Sequence, residues 1–329
     1  MIIYYFFNFL LNFYFILIKK DPESSFSRYL DFIKNENKYQ NIIKNYEEKK
    51  KVNMKQLIEL TDKSYIGKVP VKRRTDLANS YLNEFFTCEQ VEAPNGLFII
   101  SKNQSVHLMC DDEYVGSVIR DIAKKNVAKH FGNKIKLTIK DHYEIKRGLK
   151  THESSGIMAA HSFHADFLNP NELVKYSNKK KLSSDEQKIA NEDGDSIGRW
   201  IYANAYEYLP WTMNSYEEFK KKVDLGDELI GAVFCTKNYE AVGHRDNDRS
   251  EWAVGFCYDD PTSIKKGYFI YPEYGIAIEM TSNSLWCWKT QYVHGTTRLN
   301  LNGNIRYTAV ITLTKKIARA MEAEFIKKQ

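Results

Sequence analysis

The chain has 329 residues, of which 43% are hydrophobic, 14% aromatic and 27% charged, and it contains 7 prolines and 16 glycines. This composition excludes a disordered, collagen-like or low-complexity protein and predicts a globular one with one large core or two smaller ones. The 48 basic and 42 acidic residues give a net charge of +6, which is too small to identify a partner for the whole chain.

Five cysteines lie far apart in the chain, with no C-x-x-C pair among them. This distribution argues against a disulfide framework and against a structural zinc site, and it favours a reducing compartment, the nucleus or the cytoplasm. The five are Cys88, Cys110, Cys235, Cys257 and Cys287.

Residues 1–18 carry no charge and approach the length and composition of a membrane span. Asn8 and Asn12 interrupt this apolar segment, and the acidic residues soon after it do not suit a cleavable signal peptide. Two interpretations stay open. One is a membrane anchor, with Lys19 and Lys20 placing the rest of the chain on the cytoplasmic side, and the other is a translated extension upstream of the true start.

Residues 19–78 are polar and rich in lysine, and we predict a helical or linker region there, followed by one folded domain over residues 79–329. Within that domain, residues 120–150 contain ten Lys or Arg against three acidic residues, a net charge of +7. This basic stretch predicts either a surface that contacts nucleic-acid phosphates or an ordinary solvated face.

Hydrophobic patterning predicts a mixed α+β fold. A short apolar run over 97–101 predicts a strand, and the helical spacing of apolar residues over 116–130 predicts a helix. Alternating apolar and polar residues over 135–139 predict a strand, and the polar segment 176–194 predicts a surface loop. The last third predicts short strands that form a sandwich or barrel, followed by a helix over 315–328. The predicted strands are 229–235, 252–258, 268–271, 276–280, 285–288 and 307–313.

The strongest chemical signal is His244-Arg245-Asp246, which His294 follows 48 residues after the aspartate. In a strand, residues i and i+2 project to the same side, so the histidine and the aspartate can reach one metal ion while Arg245 points away. Two histidines and one carboxylate occupy one face of an octahedral iron(II) ion and leave positions for a bidentate ligand and dioxygen. Arg306, which opens the last predicted strand, supplies a guanidinium suited to a dicarboxylic co-substrate such as 2-oxoglutarate.

Other conspicuous residues receive structural interpretations. A second His-x-Asp at 164–166, preceded by His161, is not followed by a predicted strand, so we interpret these histidines as hydrogen-bonded residues on a helix or loop. Trp286 and Trp288 alternate on one predicted strand, which indicates a packed face.

Five segments of the chain resemble the TET/JBP-type 2-oxoglutarate- and iron(II)-dependent dioxygenases, most closely the stand-alone fungal type. The His-Gly-Thr-Thr of residues 294–297 is the most specific of them. The resemblance is firm over 229–315 and diffuse over 77–226. The segments are His244-Arg245-Asp246, Trp252–Cys257, Tyr271–Gly275, His294–Thr297 and the strand that Arg306 opens.

This resemblance implies a double-stranded β-helix, or jelly roll, with flanking helices. In it, His244, Asp246 and His294 hold Fe(II), and Arg306 holds the distal carboxylate of 2-oxoglutarate, with Arg298 as the alternative arginine. The implied activity is that of a dioxygenase that oxidises a methyl or other C–H group, with 5-methyl-pyrimidine in nucleic acid as the leading substrate.

The chain also departs from the family pattern. The position three residues beyond the iron-binding aspartate, an asparagine in animal TET enzymes, is Arg249 here, which makes Arg249 the candidate substrate-binding residue. The Cys-rich zinc-binding region of those enzymes is missing. Two alternatives therefore stay open, a protein or small-molecule hydroxylase of the same fold and an inactive jelly-roll binding module, and the sequence does not indicate the oligomeric state.

Overall fold

The structure is a computed structural model in which most of the chain after residue 65 is described. Predictions for residues 1–18 and 19–65 lie outside the described residues. None of the helices in the described ranges is long and apolar enough to cross a membrane. Those ranges are 66–93, 97–140, 154–166, 168–175, 183–223, 231–259, 267–298 and 305–328.

The elements up to residue 208 are a mixture of helices and strands. In chain order they are β1 (Gly67–Pro70), α1 (Thr75–Tyr81), α2 (Cys88–Glu92), β2 (Phe98–Ile100), β3 (Val106–Cys110), β4 (Glu113–Arg120), α3 (Lys125–Thr138), β5 (Ser154–Ala165), β6 (Leu173–Lys175) and α4 (Ser184–Tyr208).

The remaining elements are mostly strands. They are a 3-10 turn (Pro210–Met213), α5 (Asn214–Val223), β7 (Ala232–His244), β8 (Trp252–Asp259), β9 (Tyr268–Tyr271), a second 3-10 turn (Pro272–Tyr274), β10 (Ile276–Glu279), β11 (Ser284–Lys289), β12 (His294–Thr296), β13 (Arg306–Thr312) and α6 (Lys315–Lys328).

The strands form one continuous curled sheet, whose central part has two four-stranded antiparallel halves that share the long strand β7. We refer to these halves as the two sheets. One sheet has the order β11-β8-β13-β7, and the other has the order β7-β12-β9-β10. A strand that serves both sheets bends the whole into a jelly roll, with side chains and space enclosed between the two sheets. The predicted α+β class with a double-stranded β-helix and flanking helices is therefore confirmed.

Additional strands extend this core at its edges. β4 pairs antiparallel with β11, β3 with β4, and β1 lies parallel to β3. At the other end β2 lies parallel to β10, and β5 runs antiparallel along β7. The sheet therefore begins with β1, before residue 79, and the domain boundaries themselves stay a prediction.

The long helices cover the outer face of the β11-β8-β13-β7 sheet. Tyr307, Ala309 and Ile311 of β13 belong to the large core that also contains buried residues of α3 and α4. Thr308 and Val310, which alternate with them, line the space between the two sheets instead. Because successive strand residues face opposite sides, the helices and the internal cavity lie on opposite faces of this sheet.

Most of the predicted strands of the last third are confirmed, because their alternation or continuous apolar runs are typical of half-buried and buried strands. The helix over 315–328 and the strand within 97–101 are also confirmed. β12 was not predicted, since it has only three residues and Gly295 is one of them.

Two predictions between residues 116 and 139 were wrong. Residues 116–120 belong to β4, so only the second half of the predicted helix over 116–130 is helical. The predicted strand over 135–139 lies in α3, where Ala128, Gly132 and Ile135 form a buried stripe at helical spacing while Leu137 is exposed. The local alternation imitated a strand, but burial follows the period of a helix.

Two further predictions were corrected. Within 176–194, α4 begins at Ser184, and Ser183 with Glu186 forms a capping box that marks this start in the sequence. His161 and His164 lie on the strand β5, not on a helix or loop. β5 is placed by its pairing with β7, a contact between distant parts of the chain that no local pattern reports.

Candidate metal centre

Three side chains from two neighbouring strands converge at one end of β7. His244 is the last residue of β7, Asp246 follows two residues later, and His294 opens β12 directly opposite His244. His294 Nε2 lies 3.1 Å from Asp246 Oδ2, and His244 Nε2 lies 3.7 Å from Asp246 Oδ1. Within the described ranges this is the one group of His, Cys, Asp or Glu that could hold a metal ion, with its ligand atoms all within 4.8 Å of one another.

Backbone carbonyls fix the orientation of both imidazoles. His244 Nδ1 lies 2.8 Å from the carbonyl oxygen of Val242, and His294 Nδ1 lies 2.9 Å from that of Tyr292. A carbonyl oxygen only accepts hydrogen bonds, so each Nδ1 carries the proton and donates it. In the neutral imidazole, each Nε2 then keeps a lone pair that faces Asp246, which is the tautomer that metal-binding histidines use.

The donor set fits a divalent transition metal. Two imidazole nitrogens and one carboxylate are the ligands of the facial triad that holds non-haem iron(II). Adjacent ligands about 2.1 Å from one metal ion lie about 3 Å apart. The separation of His294 Nε2 from Asp246 Oδ2, 3.1 Å, is close to that value, and the separation of His244 Nε2 from Asp246 Oδ1, 3.7 Å, is longer. Arg245 is exposed between the two ligands, so the sequence argument from strand alternation agrees with the geometry.

The cluster lies in a cavity of about 420 Å³ between the two sheets. Its walls are mainly aromatic and aliphatic, and its polar residues are largely threonines, two aspartates and one arginine. Trp288 packs 5.3 Å from the His294 ring, measured between ring centroids. Both walls of the cavity come from β-strands, so the ligand-binding groups are placed on rigid elements.

Arg306 is the cavity's arginine. Its Nε donates to Asp259 Oδ1 at 2.9 Å, and its Nη2 donates to the carbonyl oxygen of Met280 at 3.1 Å. Burial lowers the pKa of Arg306, but the Asp259 carboxylate beside it raises the pKa, and the net direction is upward. The guanidinium is therefore a fixed positive charge at the cavity wall.

The other two arginines singled out in the sequence lie elsewhere. Arg298 is exposed and stacks over the ring of Phe85 at 4.5 Å. Arg249 is also exposed, 6.0 Å from the ring centroid of Phe219. Neither lines the cavity that holds the histidines. The structure thus brings Arg306 together with the cluster and leaves Arg298 and Arg249 outside.

The second His-x-Asp does not form a cluster of this kind. His164 Nδ1 lies 2.7 Å from the carbonyl oxygen of Ala165. Asp166 Oδ1 accepts hydrogen bonds from the backbone amides of Leu168 and Asn169, both at 2.8 Å, and so shapes a turn. This is the role that Asp side chains commonly have at the end of a strand.

Sequence reasoning missed three cavity residues. Asp248 lines the cavity and accepts a hydrogen bond from Thr312, and burial raises the pKa of its carboxyl to about 6. The available signal in the sequence was its position two residues after Asp246, which places both side chains on the same side of an extended chain. Trp286 and Trp288 line the same cavity, and neither indole N–H has an acceptor among the described residues. Their alternation was interpreted as packing, which gives no sign of a cavity between the sheets.

No protein-family model and no curated protein matches the chain. Among solved structures, NgTET1 in complex with 5mC DNA has 11% identity, 74% coverage of this chain, 92% coverage of its own and a TM-score of 0.45. OsALKBH1 has 9% identity, and the match covers 60% of this chain and 96% of OsALKBH1 with a TM-score of 0.34. A 2OG-Fe(II) oxygenase-family oxidoreductase from Burkholderia pseudomallei has 9% identity, 60% and 85% coverage and a TM-score of 0.37.

The strand order and the cluster define the fold and a candidate donor set independently of these likenesses. The chain has a jelly roll with a His–Asp–His cluster in its cavity, and this donor set is the one that holds non-haem iron(II). The TET-like likeness and its fungal subtype remain an inference from the sequence.

Proposed function

We propose that the protein is an Fe(II)- and 2-oxoglutarate-dependent dioxygenase that oxidises a methyl or other C–H group. One observation carries this proposal: the His–Asp–His cluster and a fixed guanidinium line the same cavity. When bound, iron and 2-oxoglutarate supply the oxidising chemistry together with dioxygen, and 2-oxoglutarate ends as succinate and carbon dioxide.

The residues of the chain divide the work of binding and orientation. His244, Asp246 and His294 would hold the iron, with the two imidazoles held in the metal-binding tautomer by backbone carbonyls. Arg306 would hold the distal carboxylate of 2-oxoglutarate, and Asp259 keeps its guanidinium in place. The aromatic walls would exclude water from the reacting group.

The leading substrate is a 5-methyl-pyrimidine in nucleic acid. The aromatic lining of the cavity supports a planar guest, because ring faces stack on bases of any sequence. A base in a duplex would have to be flipped out to reach the cavity. A further support is a basic helix face, here defined as the exposed lysines at the start and along one side of α3, which are Lys124, Lys125, Lys129, Lys136 and Lys140.

Two residues of the basic stretch 120–150 do not contribute to such a surface. Arg120 is buried, and its guanidinium donates to Ser284 Oγ at 3.0 Å and to three backbone carbonyls. Lys134 is paired with Asp193 at 2.7 Å. Among the described residues of this stretch, the proposed phosphate contacts therefore rest on the basic helix face, while Lys146, Arg147 and Lys150 lie outside the described residues.

A small-molecule or protein hydroxylase of the same fold is the second candidate, and one observation favours it. α3 packs on the face of the sheet opposite the cavity, so the basic helix face does not surround the cavity. The third candidate, an inactive binding module, is disfavoured because the ligand set and the arginine are all present.

The test is succinate release from 2-oxoglutarate with iron and ascorbate, across methylated DNA, RNA and free nucleosides. His244→Ala and Asp246→Ala should abolish both metal binding and turnover, whereas His164→Ala, in the other His-x-Asp, should leave both unchanged. Succinate release that methylated DNA or RNA stimulates, and free nucleosides do not, would support the leading substrate. Full turnover in either cluster variant would refute the site, and turnover without stimulation by any nucleic acid would favour the second candidate.

A further inference from the structure

A short segment ahead of the jelly roll reaches the strand end that carries His244. We call residues 81–86 the N-terminal strap. The Asn83 amide donates to the Gly243 carbonyl oxygen at 2.7 Å, and the Gly243 amide donates to the Glu84 carbonyl oxygen at 3.0 Å. Leu82 and Gly243 form a parallel bridge. Two reciprocal backbone hydrogen bonds thus hold the residue that immediately precedes His244.

The same strap also reaches the strand that carries the other histidine. The Arg298 amide, just beyond β12, donates to the Phe86 carbonyl oxygen at 2.8 Å. Phe86 is buried, and its ring contacts that of Tyr81, with the ring centroids 3.7 Å apart. The strap is therefore anchored by packing and connects both histidine-bearing segments from one side.

Gly243 leaves no room for a side chain at this contact. A Cβ on Gly243 would lie 2.1 Å from the Tyr81 carbonyl oxygen and 3.3 Å from the Val293 side chain. The first distance is far below any van der Waals contact with a backbone atom, which cannot rotate away as a side-chain tip can. An alanine there has to displace either the strap or the end of β7.

A displacement at Gly243 would act directly on His244. Gly243 lies between His244 and Val242, whose carbonyl oxygen accepts from His244 Nδ1 and sets the orientation of the ring. A shift of this one peptide therefore moves the Nε2 atom relative to Asp246 and His294. Groups that orient metal ligands in this way commonly change metal affinity by about 10- to 100-fold when they are lost.

From these contacts we propose that the N-terminal strap is a positioning element of the metal centre, with Gly243 and Asn83 as its positioning residues. This inference rests on the proposed function in that it takes the cluster to bind a metal ion. The strap acts through the backbone: it holds β7 and the end of β12 at the separation at which the two imidazoles face one aspartate.

Asn83 offers a way to disturb the strap without touching β7. Its φ of 66° is in the left-handed region, which asparagine and glycine adopt more readily than other residues. Valine at this position would disfavour the turn that aims the Asn83 amide at Gly243, whereas glycine would keep it. Asn83→Val and Asn83→Gly thus form a matched pair that differs in the backbone conformation each side chain permits.

The experiment measures the affinity of the full chain for Co²⁺ by calorimetry, together with the visible spectrum of the bound ion, in the absence of 2-oxoglutarate. Gly243→Ala and Asn83→Val should weaken binding about 10- to 100-fold and change the spectrum. Asn83→Gly and Gly67→Ala should bind as the unsubstituted chain does. Gly67 is the control because a Cβ there meets only ordinary contacts, the nearest at 3.8 Å.

Hydrogen exchange supplies a second readout that works on the unsubstituted chain. Coupling between two sites is reciprocal, so metal binding should slow exchange of the Asn83, Gly243 and Arg298 amides. Unchanged exchange at these amides would overturn the proposal. If Gly243→Ala does not fold, the comparison of Asn83→Val with Asn83→Gly decides. Equal Co²⁺ affinity of these two variants overturns the proposal. A loss of Co²⁺ affinity in Gly67→Ala as large as that in the strap variants also overturns it.

The two proposals fail in different ways. If the chain binds Co²⁺ with the expected dependence on the strap but releases no succinate, the oxygenase assignment fails and the positioning role stands. If succinate is released while the strap variants bind metal normally, the positioning role fails alone. If the unsubstituted chain binds no divalent metal, the oxygenase assignment and the positioning role are both overturned.

Discussion

Replacing Arg306 with methionine tests the co-substrate half of the site. A guanidinium has five N–H donors, and Arg306 uses one on Asp259 and one on the Met280 carbonyl. The remaining three can serve a ligand carboxylate. Hydrogen bonds to charged groups are worth about 1.5–3 kcal/mol each, and tenfold in affinity is about 1.4 kcal/mol. The loss of one such hydrogen bond should therefore weaken 2-oxoglutarate binding to Arg306→Met by about 10- to 100-fold, and the loss of a bidentate pair should weaken it further.

The same change also costs stability, because Asp259 loses its partner. Breaking a buried ion pair costs about 3–5 kcal/mol. The lower end of this range applies because the Asp259 side chain is 19% exposed, so water can solvate its carboxylate in part. Adding Asp259→Asn should return most of that stability without returning the affinity. The double variant therefore separates loss of the ligand contact from loss of folding.

The assay is calorimetric titration of 2-oxoglutarate into the Mn²⁺-loaded chain, with urea unfolding run in parallel. Arg298→Met is the matched control, since its side chain is exposed over Phe85 and lies outside the cavity. The reasoning is refuted if Arg306→Met binds 2-oxoglutarate normally, or if Arg298→Met loses as much affinity. In the second case Arg298 would take the co-substrate role.

Three further predictions address stability, the cavity wall and the basic helix face. Burial lowers the pKa of His107 to about 4, so the folded state binds fewer protons than the unfolded state between pH 6.5 and 4. The contribution of His107 to stability should fall by about 3 kcal/mol as the pH drops through that window, while the raised pKa of Asp248 acts in the opposite direction. Between pH 7 and 4.5, urea unfolding should therefore show a less unfavourable change in stability for His107→Gln than for the unsubstituted chain. A Cβ on Gly255 would lie 2.4 Å from the Trp286 ring, so Gly255→Ala should shift the indole and weaken 2-oxoglutarate binding, and unchanged binding and tryptophan fluorescence would contradict this. Lys129→Glu and Lys136→Glu should each weaken nucleic-acid binding. Each should also reduce the slope of the logarithm of the binding constant against the logarithm of the salt concentration by about one. If neither change affects binding, the basic helix face has no part in substrate recognition.

The sequence predicted a sandwich or barrel because its strands carry their own signals, whereas the jelly roll itself was implied by the family resemblance. Alternation and short apolar runs mark β8, β9, β10, β11 and β13, and the His-x-Asp spacing places two ligands on one side of an extended chain. These are local properties. His294 was also singled out, although its strand was not predicted, because the His-Gly-Thr-Thr of residues 294–297 is the most specific part of the family resemblance.

What the sequence did not predict depends on distant contacts. Asp259 is recognisable as the partner of Arg306 only once β8 and β13 are paired. Gly243 is an unremarkable glycine until the Tyr81 carbonyl oxygen lies against it. Pairing of this kind brings together residues far apart in the chain, and side-chain periodicity contains no information about it.

Under the proposed function, the arrangement of the two sheets bears on which groups the co-substrate has at its two ends, and not only on its charge. His294 belongs to the β7-β12-β9-β10 sheet, whereas Arg306 belongs to the β11-β8-β13-β7 sheet, and both face the cavity between them. A ligand that binds both has to cross this space with a metal-binding group at one end and an anion at the other. Under the proposed function, a 2-oxo monocarboxylic acid could reach the metal but would leave the charge of Arg306 without a ligand partner, so we expect a dicarboxylic oxo acid to bind more tightly than its monocarboxylic analogues. Since β7 contributes to both sheets and ends at His244, its position sets the separation of the two anchoring points, and the strap that holds Gly243 acts on this same strand.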